Sequence, residues 1–147
     1  LNEKSCTSME YVKQLLQGKF PAAPKFSVMI SHVKDIAKAH VLSLTNRNAG
    51  GRRLIVGSEV RSILELSKIM ALNIPSHIKK LPKRELPNFM VKLLSYIDTS
   101  AKNMVPDLGL KMQTDPTYAE EILEMKFIAS ETAVVDAAKS VIRLNLA

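Results

Sequence analysis

The fold of this chain depends on one stretch, which reads His32-Val33-Lys34-Asp35-Ile36-Ala37-Lys38-Ala39-His40-Val41-Leu42-Ser43-Leu44. Its apolar residues recur at helical spacing and share a stripe with His40, namely Val33, Ile36, Ala37, Val41 and Leu44. Asp35 lies on the other face, in the first turn, where a carboxylate is favoured. The spacing predicts a helix over 33–45, with His40 as a hydrogen-bonded interior histidine.

Two extended runs flank this helix. Residues 26–31 precede it, and residues 52–57 follow a glycine break at Gly50-Gly51. A strand, a helix and a second strand within about thirty residues are the format of a βαβ crossover. The sequence therefore predicts an α/β architecture around this unit.

Helix start signals place the remaining elements. Ser62 and Glu65 have the spacing of a capping box, and Asp115-Pro116 is typical of a helix start. With the apolar periodicity, these signals predict further helices at 8–17, 62–72, 87–96, 116–123 and 130–144. Residues 98–109 are predicted to be irregular or a short helix, and a short edge strand is predicted at 78–81.

Size and composition limit the class of protein. The 147 residues are enough for one domain with a core, and 46% of them are hydrophobic. No apolar run approaches the roughly eighteen residues needed to span a bilayer, so no membrane partner is expected. The lone Cys6 excludes an internal disulfide and suits a reducing compartment, which predicts a cytoplasmic protein.

The net charge of +7 raises the question of nucleic-acid binding. The tightest basic group consists of Lys79, Lys80, Lys83 and Arg84, and the other cations are dispersed. Aromatic residues make up only 5% and tryptophan is absent, so stacking platforms for bases are scarce. A solvated charged surface is the favoured interpretation, and nucleic acid is not an expected partner.

Motifs with catalytic chemistry are scarce. His32, His40 and His77 lie far apart, and none has a further ligand at metal-binding spacing. No G-x-S-x-G nucleophile motif occurs, and the glycines form neither G-x-G-x-x-G nor a P-loop. The chain is therefore predicted to contain no catalytic, cofactor-binding or metal-binding residues of its own.

The stretch His32–Leu42 resembles the H-V-x-D-V-A-x-A-H-V-L motif of extended short-chain dehydrogenases/reductases. The resemblance is greatest to the dihydroflavonol-4-reductase-like, NAD(P)-dependent members of the epimerase/dehydratase family. Residues 51–58 are similar to the last nucleotide-domain strand of that family, and 62–69 to the helix after it. Residues 115–127 resemble the segment before the terminal helix, so the likeness runs from about Ser8 to Leu144.

The family's N-terminal half is not found in this sequence. That half carries a glycine-rich dinucleotide loop and a Y-x-x-x-K pair. The tyrosines here, Tyr11, Tyr96 and Tyr118, are followed four positions later by Leu15, Ser100 and Ile122. The resemblance thus implies a mostly helical α/β chain, the C-terminal part of a Rossmann-type enzyme. Residues 1–31 and 58–147 would form a substrate-binding lobe, and 32–57 a helix and an edge strand of the nucleotide-binding sheet.

The resemblance implies an oxidoreductase as the parent protein, with NADP or NAD as its cofactor. This chain would be the substrate-side half of an NAD(P)H-dependent carbonyl reductase, neither catalytic nor cofactor-binding alone. Expected partners are a small-molecule carbonyl substrate and either the nucleotide-binding half or a second copy. The contact would use apolar residues that lack a covering sheet, namely Val33, Ile36, Val41, Leu54 and Val56. The alternatives are a non-catalytic binding or regulatory module and, more weakly, a basic nucleic-acid-binding domain.

The same layout indicates where a substrate pocket would lie. The candidate lining residues are Val28, Met29, Ile30 and Phe89, beside a loop at 2–8 and Pro87. Relatives that act on nucleotide sugars often have arginine four residues before the motif histidine, where this chain has Val28. The apolar lining implies a small or aromatic carbonyl substrate. Alternation fits an ordinary core strand equally well.

Overall fold

A computed structural model describes residues 7–96, 99–110 and 112–147. The α-helices are α1 (Thr7–Leu16), α2 (Val33–Thr45), α3 (Ile63–Asn73), α4 (Asn88–Leu94), α5 (Thr99–Met104), α6 (Thr117–Leu123) and α7 (Ser130–Arg143). The strands are β1 (Ala23–Pro24), β2 (Ser27–Ile30), β3 (Glu59–Ser62) and β4 (Glu85–Leu86). Short 3-10 turns occupy Arg47–Ala49, Pro75–His77 and Val105–Asp107. The predicted class, a mostly helical α/β chain, is confirmed.

The strands form two small sheets. β2 pairs antiparallel with β3, with Ser27 opposite Ser62 and Ile30 opposite Glu59, and β1 pairs parallel with β4. The predicted βαβ crossover is therefore wrong, because the strand after α2 that pairs with β2 is antiparallel to it. The predicted strand at 52–57 is also wrong. A strand needs a neighbouring ladder, and no described segment pairs with these residues along their length.

The predicted strand at 78–81 is replaced by turns. Pro75 opens a 3-10 helix, and the Ile78 and Lys80 amides donate to the carbonyls of Pro75 and His77 at 3.3 and 3.0 Å. Proline fixes φ near the helical value, so it favours this compact path over an extended one. The edge pairing occurs four residues later, at β4.

The larger apolar core lies between α1, α3 and α7. Both α1 and α3 pack against α7, and α3 begins at the predicted capping box, where the Glu65 amide donates to the Ser62 hydroxyl at 3.2 Å. The side chains buried in this core include Leu15, Leu16, Ile63, Leu66, Met70, Ala138 and Val141. Burial of these aliphatic groups contributes most of the free energy that holds the three helices together.

A smaller apolar cluster joins α2 to α6. Its buried members are Ala39, Ala49, Leu123 and Met125, and Leu54 and Val56 pack against it half-buried. Helix α2 therefore contacts the rest of the described chain through a narrow face of small and polar residues.

Among the described residues, no helix is long and apolar enough to cross a membrane.

The predicted apolar stripe of α2 faces solvent. Val33 is 74% exposed and Leu44 85%, and Ile36 and Val41 are exposed as well. The expected exposure of Val33, Ile36 and Val41 is thus confirmed, and that of Leu54 and Val56 is only partial. This stripe, with Ile55, which is also exposed, is called the α2 face below.

His40 is not an interior residue, contrary to the prediction. It is exposed, and its Nδ1 lies 2.7 Å from the carbonyl oxygen of Ile36 in the preceding turn. Ala39 is the neighbouring residue that enters the smaller cluster. A helix rotation of about 100° per residue then carries His40 away from that cluster.

Candidate functional site

An open cleft lies between β3 and the extended segment before α6. Its volume is about 640 Å³, and it is lined by Ser58, Glu59, Val60, Arg61, Met112, Gln113, Thr114 and Asp115. Most of these side chains are polar or charged. A ligand in this cleft would therefore meet mainly hydrogen-bonding groups.

Arg61 donates hydrogen bonds to two partners beside the cleft. Its Nε donates to the Ser130 hydroxyl at 3.0 Å, and its Nη2 donates to Glu59 Oε2. The buried Ser130 hydroxyl in turn donates to the same Glu59 oxygen at 2.5 Å. Because Ser130 is the first residue of α7, this network fixes β3 against the start of the terminal helix.

The electrostatics of the network favour charged carboxylates. The Ser130 hydroxyl and the Arg61 guanidinium that donate to Glu59 hold the pKa of that carboxyl below its ordinary value. Arg61 Nη1 also lies 3.6 Å from Glu65 Oε1. The guanidinium thus already faces two carboxylates, so the wall is unsuited to an anionic ligand.

The opposite wall is fixed by a turn at Asp115. The Thr117 amide donates to Asp115 Oδ1 at 2.9 Å, which satisfies an unpaired donor at the start of α6. The Thr117 donors lower the pKa of Asp115. This hydrogen bond sets where the chain leaves the cleft and enters the helix.

Three of the predicted pocket residues lie on the strand behind this cleft. In the β2–β3 register, Val28 is opposite Arg61, and Ile30 is opposite Glu59. Val28 and Ile30 pack against the larger core. Met29 lies at the intervening position, and its Sδ would come 2.8 Å from a Cβ added at Gly57. Of these three residues, Met29 alone is outside the larger core.

The fourth predicted pocket residue, Phe89, lies on another element. It is on α4 and is 71% exposed. The predicted pocket loop at 2–8 falls mostly outside the described residues, and Cys6 lies there too. The structure therefore groups Val28, Met29 and Ile30 on one strand and places Phe89 on a separate helix.

The polar residues of the His32 motif serve the packing of α2. His32 caps the helix, since its Nδ1 accepts from the Lys34 amide at 3.1 Å. Its Nε2 lies 3.4 Å from Asp136 Oδ2 on α7. Asp35 is buried, and its Oδ2 accepts from the Ile128 amide at 2.7 Å. Both side chains are thus engaged in holding α2 to the C-terminal segment.

No sequence motif pointed to the cleft-lining residues. Glu59 and Arg61 alternate along β3, which places both charges on the same side of the strand, and this period of two was the available signal. Nothing in the sequence marks residues 112–115 as their neighbours. Among the described residues, no group of three His, Cys, Asp or Glu side chains could hold a metal ion.

No protein-family model matches the sequence, and no curated protein matches it. Solved structures match the fold over almost the whole chain. Gre2 from Candida albicans superposes with a TM-score of 0.71 at 22% identity, over 99% of this chain and 39% of that one. Yeast methylglyoxal/isovaleraldehyde reductase Gre2 complexed with NADPH gives 0.68 at 20% identity, over 92% and 40%.

A third match is a reductase engineered to attenuate substrate inhibition in asymmetric catalysis. It gives a TM-score of 0.64 at 25% identity, over 90% of this chain and 35% of that one. The chain thus spans no more than 40% of the length of these reductases. The chain has the fold of the matched portion of these Gre2-type, short-chain dehydrogenase/reductase-like enzymes.

Proposed function

We propose that this chain is the substrate-side half of an NADPH-dependent carbonyl reductase related to the dihydroflavonol-4-reductase-like enzymes. The observation that carries the proposal is the match of at least 90% of the chain to part of three reductases. One of these is a methylglyoxal/isovaleraldehyde reductase complexed with NADPH. The motif resemblance at His32–Leu42 points to the same group.

The proposal divides the chain by function. Residues 1–31 and 58–147 form the substrate lobe, and residues 32–57 complete the nucleotide-binding sheet of the parent enzyme. The division is supported by the α2 face, whose apolar side chains have no cover among the described residues, and by the unpaired extended run at 52–57. A parallel sheet normally has helices on both faces, so a helix beside an extended segment without a strand partner is what such a sheet would accept.

Within the lobe, Met29 is the residue that we assign to the substrate. Val28 and Ile30 pack in the larger core, whereas Met29 points to the other side of β2, towards Gly57. A thioether there supplies an adaptable apolar surface. This arrangement fits a small aliphatic or aromatic carbonyl compound.

In the complete reductase, NADPH would supply the hydride, and a tyrosine–lysine pair in the other half would supply the proton. This chain has no glycine-rich loop and no Y-x-x-x-K pair. Its own residues would hold the carbonyl compound and exclude water from it. They would contribute through orientation of the substrate.

The first test is the coding sequence upstream of Leu1. An in-frame glycine-rich loop followed by Y-x-x-x-K is expected. The protein that includes this segment should oxidise NADPH when methylglyoxal or isovaleraldehyde is added, as followed by nicotinamide absorbance. A start codon directly before Leu1, or no carbonyl-dependent oxidation, would favour the non-catalytic module instead.

The second test separates pocket from core. In that longer protein, Met29→Ala should raise KM severalfold with little change in thermal stability. The matched change Val28→Ala should lower the free energy of unfolding by about 0.5–1.5 kcal/mol or more, because it empties part of the larger core. Equal effects of both changes on stability, with no change in KM, would remove Met29 from the pocket.

A further inference from the structure

The outward side of α4 carries an exposed apolar patch. Phe89 is 71% exposed and Leu93 68%, Met90 and Leu94 are at least 40% exposed, and Tyr96, just after the helix, is 87% exposed. Together these five residues are called the α4 patch. A soluble surface seldom gathers so many large apolar side chains on one helix without a use for them.

The helix is amphipathic in the direction that favours an external partner. Val91 is its one buried residue, and it anchors α4 to the rest of the chain. At about 100° per residue, Leu93 projects roughly opposite Val91, and Phe89 and Met90 project on either side of Leu93. The apolar arc is therefore centred on solvent.

Four cations lie on α4, on the helix packed against it, or shortly before it in the chain. Lys92 lies on α4 itself, Lys102 lies on α5, which packs on α4, and Lys83 with Arg84 comes just before β4. All four are exposed, and none has an ion-pair partner in the part of the chain that the structure describes. Glu85, the acidic residue that follows Arg84, is already engaged, since its Oε2 lies 3.6 Å from Lys25 Nζ.

We propose that the α4 patch docks on the surface of an anionic lipid bilayer. An outward apolar helix face accompanied by exposed lysine and arginine is the pattern of helices that lie in the membrane interface. Tyr96 supplies an amphipathic ring of the kind enriched at that depth. The net charge of +7 adds long-range attraction to negative headgroups.

A second copy of the chain fits the same patch less well. Two copies meeting there about a twofold axis would bring two surfaces of the same positive charge together, each with its own Lys92 and Lys102. The expectation of no membrane partner rested on the lack of a bilayer-spanning run. Lying on the surface requires no such run, and it is independent of the proposed reductase function.

The test is co-sedimentation of the 147-residue chain with lipid vesicles. Binding is expected to phosphatidylcholine vesicles containing about 30% phosphatidylserine and not to phosphatidylcholine alone. Raising the salt concentration should weaken it strongly, because salt screens the headgroup charge. Absence of binding to the anionic vesicles would overturn the proposal.

Matched variants locate the contact. Leu93→Gln should lower the partition coefficient about tenfold, and Lys92→Gln with Lys102→Gln should lower it further, about fivefold for each cation. The controls are Leu72→Gln, an exposed leucine on α3 that is 82% exposed, and Lys34→Gln with Lys38→Gln on α2. These control variants should lower the partition coefficient by no more than about twofold, since they change only the overall charge or a distant side chain.

Two results would count against the α4 patch. One is equal weakening by Leu72→Gln and Leu93→Gln. The other is a wild-type dimer in sedimentation velocity that Leu93→Gln converts to a monomer, which would assign the patch to a second copy. All of the substituted side chains are exposed, so the variants should retain the wild-type circular dichroism spectrum.

Discussion

At Asp35 a charged side chain is buried for a structural reason. It is 6% exposed, and its Oδ2 accepts a hydrogen bond from the Ile128 amide, far along the chain. An unsatisfied buried amide is costly, so the carboxylate stabilises the path of the segment before α7. Asp35 belongs to the motif that resembles the family, yet its burial is explained by this hydrogen bond alone.

Asp35→Ala should therefore destabilise the chain by about 1–3 kcal/mol, because the Ile128 amide would lose its acceptor. Asp35→Asn keeps an oxygen at that position and should lose less. Urea denaturation followed by circular dichroism measures both. Asp136→Ala is the control, since that side chain is 55% exposed and its contact with His32 is long at 3.4 Å. A loss at Asp136 as large as that at Asp35 would contradict this account.

The capping box at Ser62 and Glu65 gives a pH-dependent contribution. Hydrogen bonds from the Ser62 amide and hydroxyl hold the pKa of Glu65 below its ordinary value of 4.5. A lowered pKa in the folded state means that unfolding takes up protons at acid pH. The carboxylate thus stabilises the fold above its ordinary pKa, and this contribution is lost as pH falls through the lowered value.

Glu65→Gln should consequently lower Tm at neutral pH, where the wild type has its charged cap. The difference in Tm between the two proteins should stay constant down to about pH 4.5 and shrink below it. Thermal melts between neutral and acid pH measure this. A difference that is constant across the whole range would show that the charge of Glu65 does not stabilise the fold.

At the scale of the element, α2 shows why an apolar stripe does not by itself identify the buried face. The helix buries Asp35 and Ala39, while Val33 and Leu44 remain exposed. Because Ala39 is small, α2 can approach α6 closely. The apolar side has no cover among the described residues.

Substitutions on the two faces of α2 should differ in their effect on the free energy of unfolding. Leu44→Gln removes an exposed leucine and should change the free energy of unfolding by no more than about 0.5 kcal/mol. Ala39→Leu inserts a larger side chain beside Leu123 and Met125 and should cost about 1–3 kcal/mol. Urea denaturation compares them. A larger loss at Leu44 than at Ala39 would mean that the apolar face packs within the chain.

At the scale of the whole molecule, the described residues form two small sheets and two apolar clusters. The two sheets have two strands each, and neither is followed by a glycine-rich turn at the start of a helix. Binding of a dinucleotide needs backbone amides that approach the pyrophosphate closely. The cleft beside β3 is instead lined mostly by polar and charged side chains.

The 147-residue chain is therefore expected not to bind NADPH. Titration should leave nicotinamide fluorescence unchanged, and addition of a carbonyl compound should cause no oxidation. The positive control is a longer protein in which an in-frame upstream segment supplies the glycine-rich loop. Saturable micromolar binding by the 147-residue chain would reveal a cofactor site formed by residues that the sequence does not mark.

The sequence by itself determined the helices. α2 was predicted with its observed bounds, and α3, α6 and α7 within one residue, because helical hydrogen bonds and caps such as Ser62 are local. The strands were predicted less well, since a ladder requires a partner far along the chain. β3 was missed for this reason, and residues 52–57 and 78–81 were assigned to strands that have no ladder.

The tertiary structure alone decided how these elements combine. It turned α2 so that Ala39 is buried and His40 exposed, and it placed Arg61 between Glu59, Glu65 and Ser130. It also brought residues 112–115 to the cleft beside β3. These contacts join residues up to about seventy positions apart. Local spacing carries no information about such distances, because they are set by which apolar surfaces the whole chain can bury together.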